Sequence, residues 1–219
     1  MCNTNPGGPR HSQHSQVLVP SDTPGIQVLR PMTIFGKDDA PHGHMHMRFT
    51  DVRVPKENMI LGQGRGFEVA QGRLGPGRIH HCMRSIGMAE AALKLMIERS
   101  LSREAFGRPL AKLGGNVDII AQARIDIEMT RLLCLKAAWL MDNVGTDAAQ
   151  PFISMIKVAA PNMALKILDE AMQMHGGLGL SQDTPLAIWY GGQRTLRFAD
   201  GPDAVHRMVI GRREIKQYM

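Results

Sequence analysis

The chain has 219 residues, 43% hydrophobic and 21% charged, a globular balance that allows one large domain or two small ones. Its net charge of +6 suits an anionic ligand, but scattered Lys and Arg with only 5% aromatic residues give no nucleic-acid footprint. Cys2, Cys82 and Cys134 are too far apart for a disulfide framework or a CxxC metal site and suit a reducing compartment.

The chain opens on "MCNTNPGGPRHSQHSQ", polar from the start and without a signal-peptide pattern. No uninterrupted apolar run reaches the ~20 residues that span a bilayer. Strand-like pieces follow at "QVLVP" (16–20), "IQVLRP" (26–31) and "HMHMRFTDVRVP" (44–55), with "SDTPG" (21–25) read as the turn between the first two. Three strands are too few for an independent sandwich, so residues 1–60 read as a partial β-domain. In "HGHMH", His42, His44 and His46 alternate onto one strand face, a pattern that also fits a solvated face, and no metal site is assigned.

The glycine-rich "GQGRG" (62–66) does not match GxGxxG and reads as a connection. From there the apolar period turns helical, and residues 61–219 read as a helical domain. "GFEVAQGR" reads as a short helix stopped by "GPG" at 75–77, with Pro76 opening a longer one. That longer helix carries Ile79, Met83, Ile86, Leu93 and Ile97 on one face. A second helix carries Ile120, Ile127, Cys134, Ala138 and Met141. A third carries Ile156, Met163, Ile167, Ala171 and Met174, should kink or break at Pro161, and ends at Gly176-Gly177. Two shorter helices follow, at about 184–199 and 203–217. Long antiparallel helices with short loops make a bundle.

Three short segments carry candidate chemistry. In "SREAFGRPL" (102–110), Arg103 and Arg108 flank a buried-looking Phe106, and arginine suits phosphate as well as an exposed helix end. In "QMHGGLGLSQD" (173–183), Gln173 precedes a glycine pair that serves either a helix cap or the close approach of a flat ligand. In "LRFADGPDAVH" (196–206), Asp200 stands at the C-terminal end of a helix, where the dipole disfavours a carboxylate. Asp203 opens the next helix, where an acid is favoured, so Asp203→Asn should cost only a few tenths of a kcal/mol.

Taken in order, "VRVPKENMILGQGRGFEVAQGRLGPGRIHH", "SREAFGRPL", "QMHGGLGLSQDTPL" and "LRFADGPDAVHR" resemble the acyl-CoA dehydrogenases, and within them the subgroup of family members ten and eleven. The resemblance covers nearly the whole chain. It implies a mainly α fold, a C-terminal four-helix bundle preceded by a partial β-domain of about three antiparallel strands. It also implies that the first helical domain and half of the β-domain, with most flavin-ring contacts, lie outside this segment.

The implied cofactor is FAD. Arg103 and Phe106 match R-x-x-F-G, where the arginine meets the pyrophosphate in a neighbouring subunit. Gln173, Gly176 and Gly177 match Q-x-x-G-G at the adenosine part. Arg78 matches an arginine beside the acyl-CoA. Two positions depart from the family: Leu113 and Gly114 stand where His-Gln is usual, and Pro202 replaces the threonine of the catalytic Glu-Gly-Thr turn.

The implied reaction is α,β-dehydrogenation of an acyl-CoA in fatty-acid oxidation, with Asp200 as the base that takes the α-proton. Some members place the base on the long helix, but Gly77 stands there and cannot serve. The implied partners are electron-transfer flavoprotein as electron acceptor and further copies of the chain in a homodimer or homotetramer, with no nucleic acid and no membrane span. The implied location is soluble and intracellular: cytoplasmic in bacteria, mitochondrial or peroxisomal in eukaryotes. Two alternatives remain open: an inactive helical association module, and an acyl-CoA oxidase.

Overall fold

Short extended runs between turn residues build the first part of the chain. The computed structural model describes residues 1–219, which divide into two units, Met1–Leu74 and Gly75–Met219. The first holds β1 (Cys2–Asn3), β2 (His14–Val17), β3 (Ile26–Ile34), β4 (Lys37–Asp38), β5 (His44–Phe49) and β6 (Met59–Ile60). β3 pairs antiparallel with β5, Ile26 opposite Phe49 and Met32 opposite His44, with an irregularity between Val28 and Arg30. β4 lies on the other edge of β3, and β2 runs between β1 and β6.

The expected antiparallel strands are therefore present, but in two three-stranded sheets. Residues 21–25 consequently link strands of different sheets and do not close a hairpin. Gly25 is required there: its φ is +95°, and a Cβ would come within 2.2 Å of the Thr50 carbonyl oxygen. Val28, Met32, Met45, Met47 and Phe49 leave apolar area exposed on the β3–β5 ribbon. In β5, His44 pairs with Asp39 at 3.2 Å.

Six helices follow the sheets: α1 (Gly66–Ser102), α2 (Asn116–Asn143), α3 (Thr146–His175), α4 (Gly177–Leu180), α5 (Leu186–Thr195) and α6 (Asp203–Lys216). The expected stop at "GPG" does not occur, because α1 runs unbroken through Pro76. Proline there cannot donate to the Gly72 carbonyl one turn back. Gly72 is exposed and open on its outer side, so water can serve that carbonyl and the helix continues. Pro161 likewise lies inside an unbroken α3. The third helix ends where expected, on Gly176 with φ +64°.

Between α1 and α2, β7 (Glu104–Ala105) and β8 (Arg108–Pro109) form a small hairpin. Its turn residues Phe106 and Gly107 both have positive φ, +50° and +76°, the hairpin geometry that matches strand twist.

The bundle core draws Cys82, Ile86, Leu93 and Met96 from α1; Ile127, Cys134 and Ala137 from α2; and Leu186 from α5. The apolar face read for α3 is buried throughout, from Ile156 to Met174, and α3 contacts α2, α4, α5 and α6. Each fully buried Ile or Leu here contributes about 1.5–3 kcal/mol relative to exposure. Frequent alanines, such as Ala89, Ala92, Ala137, Ala160 and Ala164, let the helices approach closely. Met83, assigned to the α1 face from spacing, is 56% exposed, and Cys82 takes the inward position. By length and composition alone α3 could cross a membrane, with a mean hydropathy of 1.2 over its best window. Its apolar residues are instead the centre of the bundle, and it carries the buried Lys157.

Candidate active site

The turn between α5 and α6 brings the polar residues of the second unit together. α5 ends at Thr195, earlier than the sequence suggests, and residues 196–200 continue as successive turns. Asp200 therefore does not end a helix. It sits at a corner with φ +55°, a left-handed conformation that Asp tolerates better than most residues. Gly201 follows at φ +110°, and a Cβ on it would meet His206 Nε2 at 2.8 Å. Pro202 is extended and starts α6 at Asp203.

Side chains from two helices, α1 and α3, hold this corner. Arg78 Nε on α1 donates to the Asp200 carbonyl at 2.9 Å. His81, one turn further along α1, places Nε2 at 2.9 Å from Asp200 Oδ2, and Arg84 places Nη2 at 2.6 Å from His81 Nδ1. Lys157 on α3 is 1% exposed and donates through Nζ to the carbonyls of Leu196 and Gly201, one on each side of Asp200. The Asp200 N–H has no acceptor within the chain, and Oδ1 accepts no hydrogen bond.

Burial dominates the electrostatics. It lowers the pKa of Lys157, and only in part is this opposed by Cys82, Asp203 and Asp200. It lowers His81 as well, against the pull of Asp200 and with a further push from Arg84. His206 on α6 is lowered by burial and then by Arg78 and Lys157, and its Nε2 is buried without a partner. Burial raises the Cys82 thiol to about 12, so it stays protonated near neutral pH.

Asp203 is not the surface acid that its helix N-terminal position suggests. It is 7% exposed, and its Oδ2 accepts from Arg197 Nε at 2.9 Å and Asn162 Nδ2 at 3.1 Å. Burial pushes its carboxyl upward, but these two hydrogen bonds and the Arg197 charge outweigh that and hold it below its ordinary value. Its N–H donates to the Arg197 carbonyl, which closes the loop around the corner. Asp203→Asn should therefore cost about 1.5–3 kcal/mol, the scale of hydrogen bonds to a charged group. A urea midpoint equal to wild type would contradict this.

The residues expected to contact FAD lie elsewhere in the unit. Arg103 follows α1 and is exposed, with no side-chain hydrogen bond or ion pair. Phe106 is 96% exposed at the hairpin tip, which corrects the buried reading: the left-handed turn points its ring outward. Gln173 is exposed at the end of α3, and a Cβ on Gly176 or Gly177 would meet nothing within 4 Å. The free guanidinium and amide fit the phosphates and the adenosine part of a dinucleotide. These residues form no enclosure for a flavin ring. Arg78 and Asp200 are brought together, whereas no hydrogen bond joins either to the Arg103 or Gln173 segments.

His81, Arg84, Lys157, Asn162 and His206 were missed from sequence. Arg78, His81 and Arg84 recur at three-residue spacing along one face of α1, a signal that was there to be read in "RIHHCMR". Lys157 is a lone cation inside "ISMIKVAA", which is unusual enough in an apolar run to mark a buried role.

The bundle and its corner have the architecture of solved acyl-CoA dehydrogenases. A candidate acyl-CoA dehydrogenase from Mycobacterium abscessus superposes with a TM-score of 0.96 at 55% identity, over 98% of this chain and 53% of that one. Butyryl-CoA dehydrogenase from Megasphaera elsdenii gives 0.79 at 30% identity, over 92% and 51%. In sequence, acyl-CoA dehydrogenase family member 10 of Mus musculus is 56% identical over 216 residues, 99% of this chain and 20% of that protein. The family model for the acyl-CoA dehydrogenase C-terminal domain matches residues 64–215. The chain belongs to the acyl-CoA dehydrogenase family and carries its C-terminal domain. It spans about half or less of the length of these relatives.

Proposed function

We propose that this chain supplies the base and part of the cofactor site for FAD-dependent α,β-dehydrogenation of an acyl-CoA. The observation that carries the reading is the Asp200 corner, where a free carboxylate oxygen and an uncommitted N–H lie on one residue whose corner is held from two helices. The α-proton of the thioester passes to Asp200 Oδ1, and the electron pair left behind moves toward the thioester oxygen. The Asp200 N–H donates to that oxygen as charge develops on it. FAD, when bound, supplies the acceptor for the hydride that leaves the β-carbon. Arg103, Gln173, Gly176 and Gly177 would hold its pyrophosphate and adenosine, and Phe106 would pack against it. Arg78 fixes the carbonyl of the base and lies beside the acyl-CoA. Electron-transfer flavoprotein is the proposed partner that removes the electrons. In the full-length form, anaerobic acyl-CoA should bleach the flavin absorbance; a stable oxidised spectrum in excess acyl-CoA would refute the reading.

A second reading, an association module without turnover, has its own observation. Ile125, Met129, Leu132 and Trp139 expose an apolar stripe along α2, each more than half exposed. Association is also part of the first reading, since the Arg103 and Gln173 segments would complete a neighbour's FAD site. Sedimentation at micromolar concentration should therefore give a dimer or tetramer, and a stable monodisperse monomer would count against both readings. Flavin bleaching separates them.

A further inference from the structure

The contact between His81 and Asp200 has a direction that the third member of the group dictates. A guanidinium has donors only. Arg84 Nη2 lies 2.6 Å from His81 Nδ1, so that nitrogen must offer its lone pair. A neutral imidazole then carries its single proton on Nε2, which is 2.9 Å from Asp200 Oδ2. Donation thus runs one way, from Arg84 through His81 to Asp200. Both His81 and Asp200 are largely shielded, with side chains 22% and 20% exposed.

Resting on the reading of Asp200 as the base, we propose that His81 is its positioning residue: locked by Arg84 as the Nε2–H tautomer, it ties down Oδ2 and reserves Oδ1 for the α-proton. A carboxylate on a flexible corner could rotate and present either oxygen. Here one oxygen is fixed, and the ring cannot take the proton onward while Arg84 occupies Nδ1. Arg84 from α1 and Lys157 from α3 act on the ring as cations, Asp200 is its nearest anion, and Arg78 binds the carbonyl of that same Asp200. His206 and Asp203 of α6 stand around the same corner. This surplus of cations also opposes a second proton on the ring.

The chain labelled with 15N-histidine tests the lock by two-bond proton–nitrogen correlation, with the His81 signals identified by their loss in His81→Gln. The expected result is a neutral Nε2–H ring at neutral pH that titrates below an ordinary histidine. In Arg84→Met the ring should show both tautomers and titrate at a higher pH than in wild type. A Nδ1–H or charged ring at neutral pH, or an Arg84→Met spectrum identical to wild type, would overturn the proposal. In the full-length, flavin-loaded form, His81→Phe should slow flavin reduction roughly ten- to a hundredfold with acyl-CoA affinity little changed. His81→Gln, whose amide can still donate, should recover part of that loss. If His81→Phe reduces at the wild-type rate while Asp200→Asn does not, the positioning role is wrong and the base stands. If Asp200→Asn itself reduces at the wild-type rate, the base reading falls, and the role of Oδ1 with it.

Discussion

In the full-length, flavin-loaded form, Asp200→Asn should lower the rate of flavin reduction by acyl-CoA by at least about two orders of magnitude, the scale of a positioned general base. The amide is nearly isosteric, and its oxygen can still accept from His81 Nε2, while the carbonyl bonded to Arg78 is unchanged. Fold, flavin content and acyl-CoA affinity should therefore survive, which separates loss of chemistry from loss of structure. Asp200→Glu should fall between the two. Its carboxylate can still take a proton, but the extra methylene shifts it by more than about 1 Å and displaces the His81 contact. Stopped-flow absorbance under anaerobic conditions measures all three proteins.

Lys157→Met should have the largest effect on stability among single substitutions around the corner, a loss of about 2–4 kcal/mol. The ammonium is the donor for the Leu196 and Gly201 carbonyls, and a thioether cannot replace it. Leaving buried acceptors unpaired costs about 1–3 kcal/mol each, and removing a buried charge returns only part of that. The urea midpoint should fall with little change in slope, because the surface exposed on unfolding is the same. The same variant should also reduce flavin more slowly, since the two carbonyls bracket Asp200. A midpoint at the wild-type value would mean that the corner holds without Lys157.

Much of the bundle was legible in the sequence because its signal is local. The α3 face from Ile156 to Met174 repeats at helical spacing, and every residue named on it is buried. Gly176 ends that helix at a positive φ of +64°, a conformation that glycine adopts without strain. Where local rules failed, the deciding atoms were distant or solvent. Pro76 looked like a stop, but its unpaired carbonyl partner is at an exposed glycine, so little is lost by continuing. Phe106 looked buried because phenylalanine usually is, yet a left-handed hairpin turn sets its direction. Asp203 looked like an acid favoured only by its helix N-terminus, and nothing near it in sequence shows Asn162, 41 positions away, closing over it. The Asp200 corner was found through its family resemblance, and Arg78 came with it. His81 and Lys157 were missed because their roles depend on contacts 119 and 39 or more positions away, although both leave a trace in residue type.

The most direct measurement follows the α-proton itself. An acyl-CoA is incubated in D2O with the full-length, flavin-loaded protein, and deuterium at the α-carbon is read by NMR or mass spectrometry before net oxidation. With Asp200 as the base, wild type should incorporate deuterium, and Asp200→Asn should incorporate it at least about a hundredfold more slowly while binding the thioester as well. Equal incorporation by the two proteins would show that another group removes the proton.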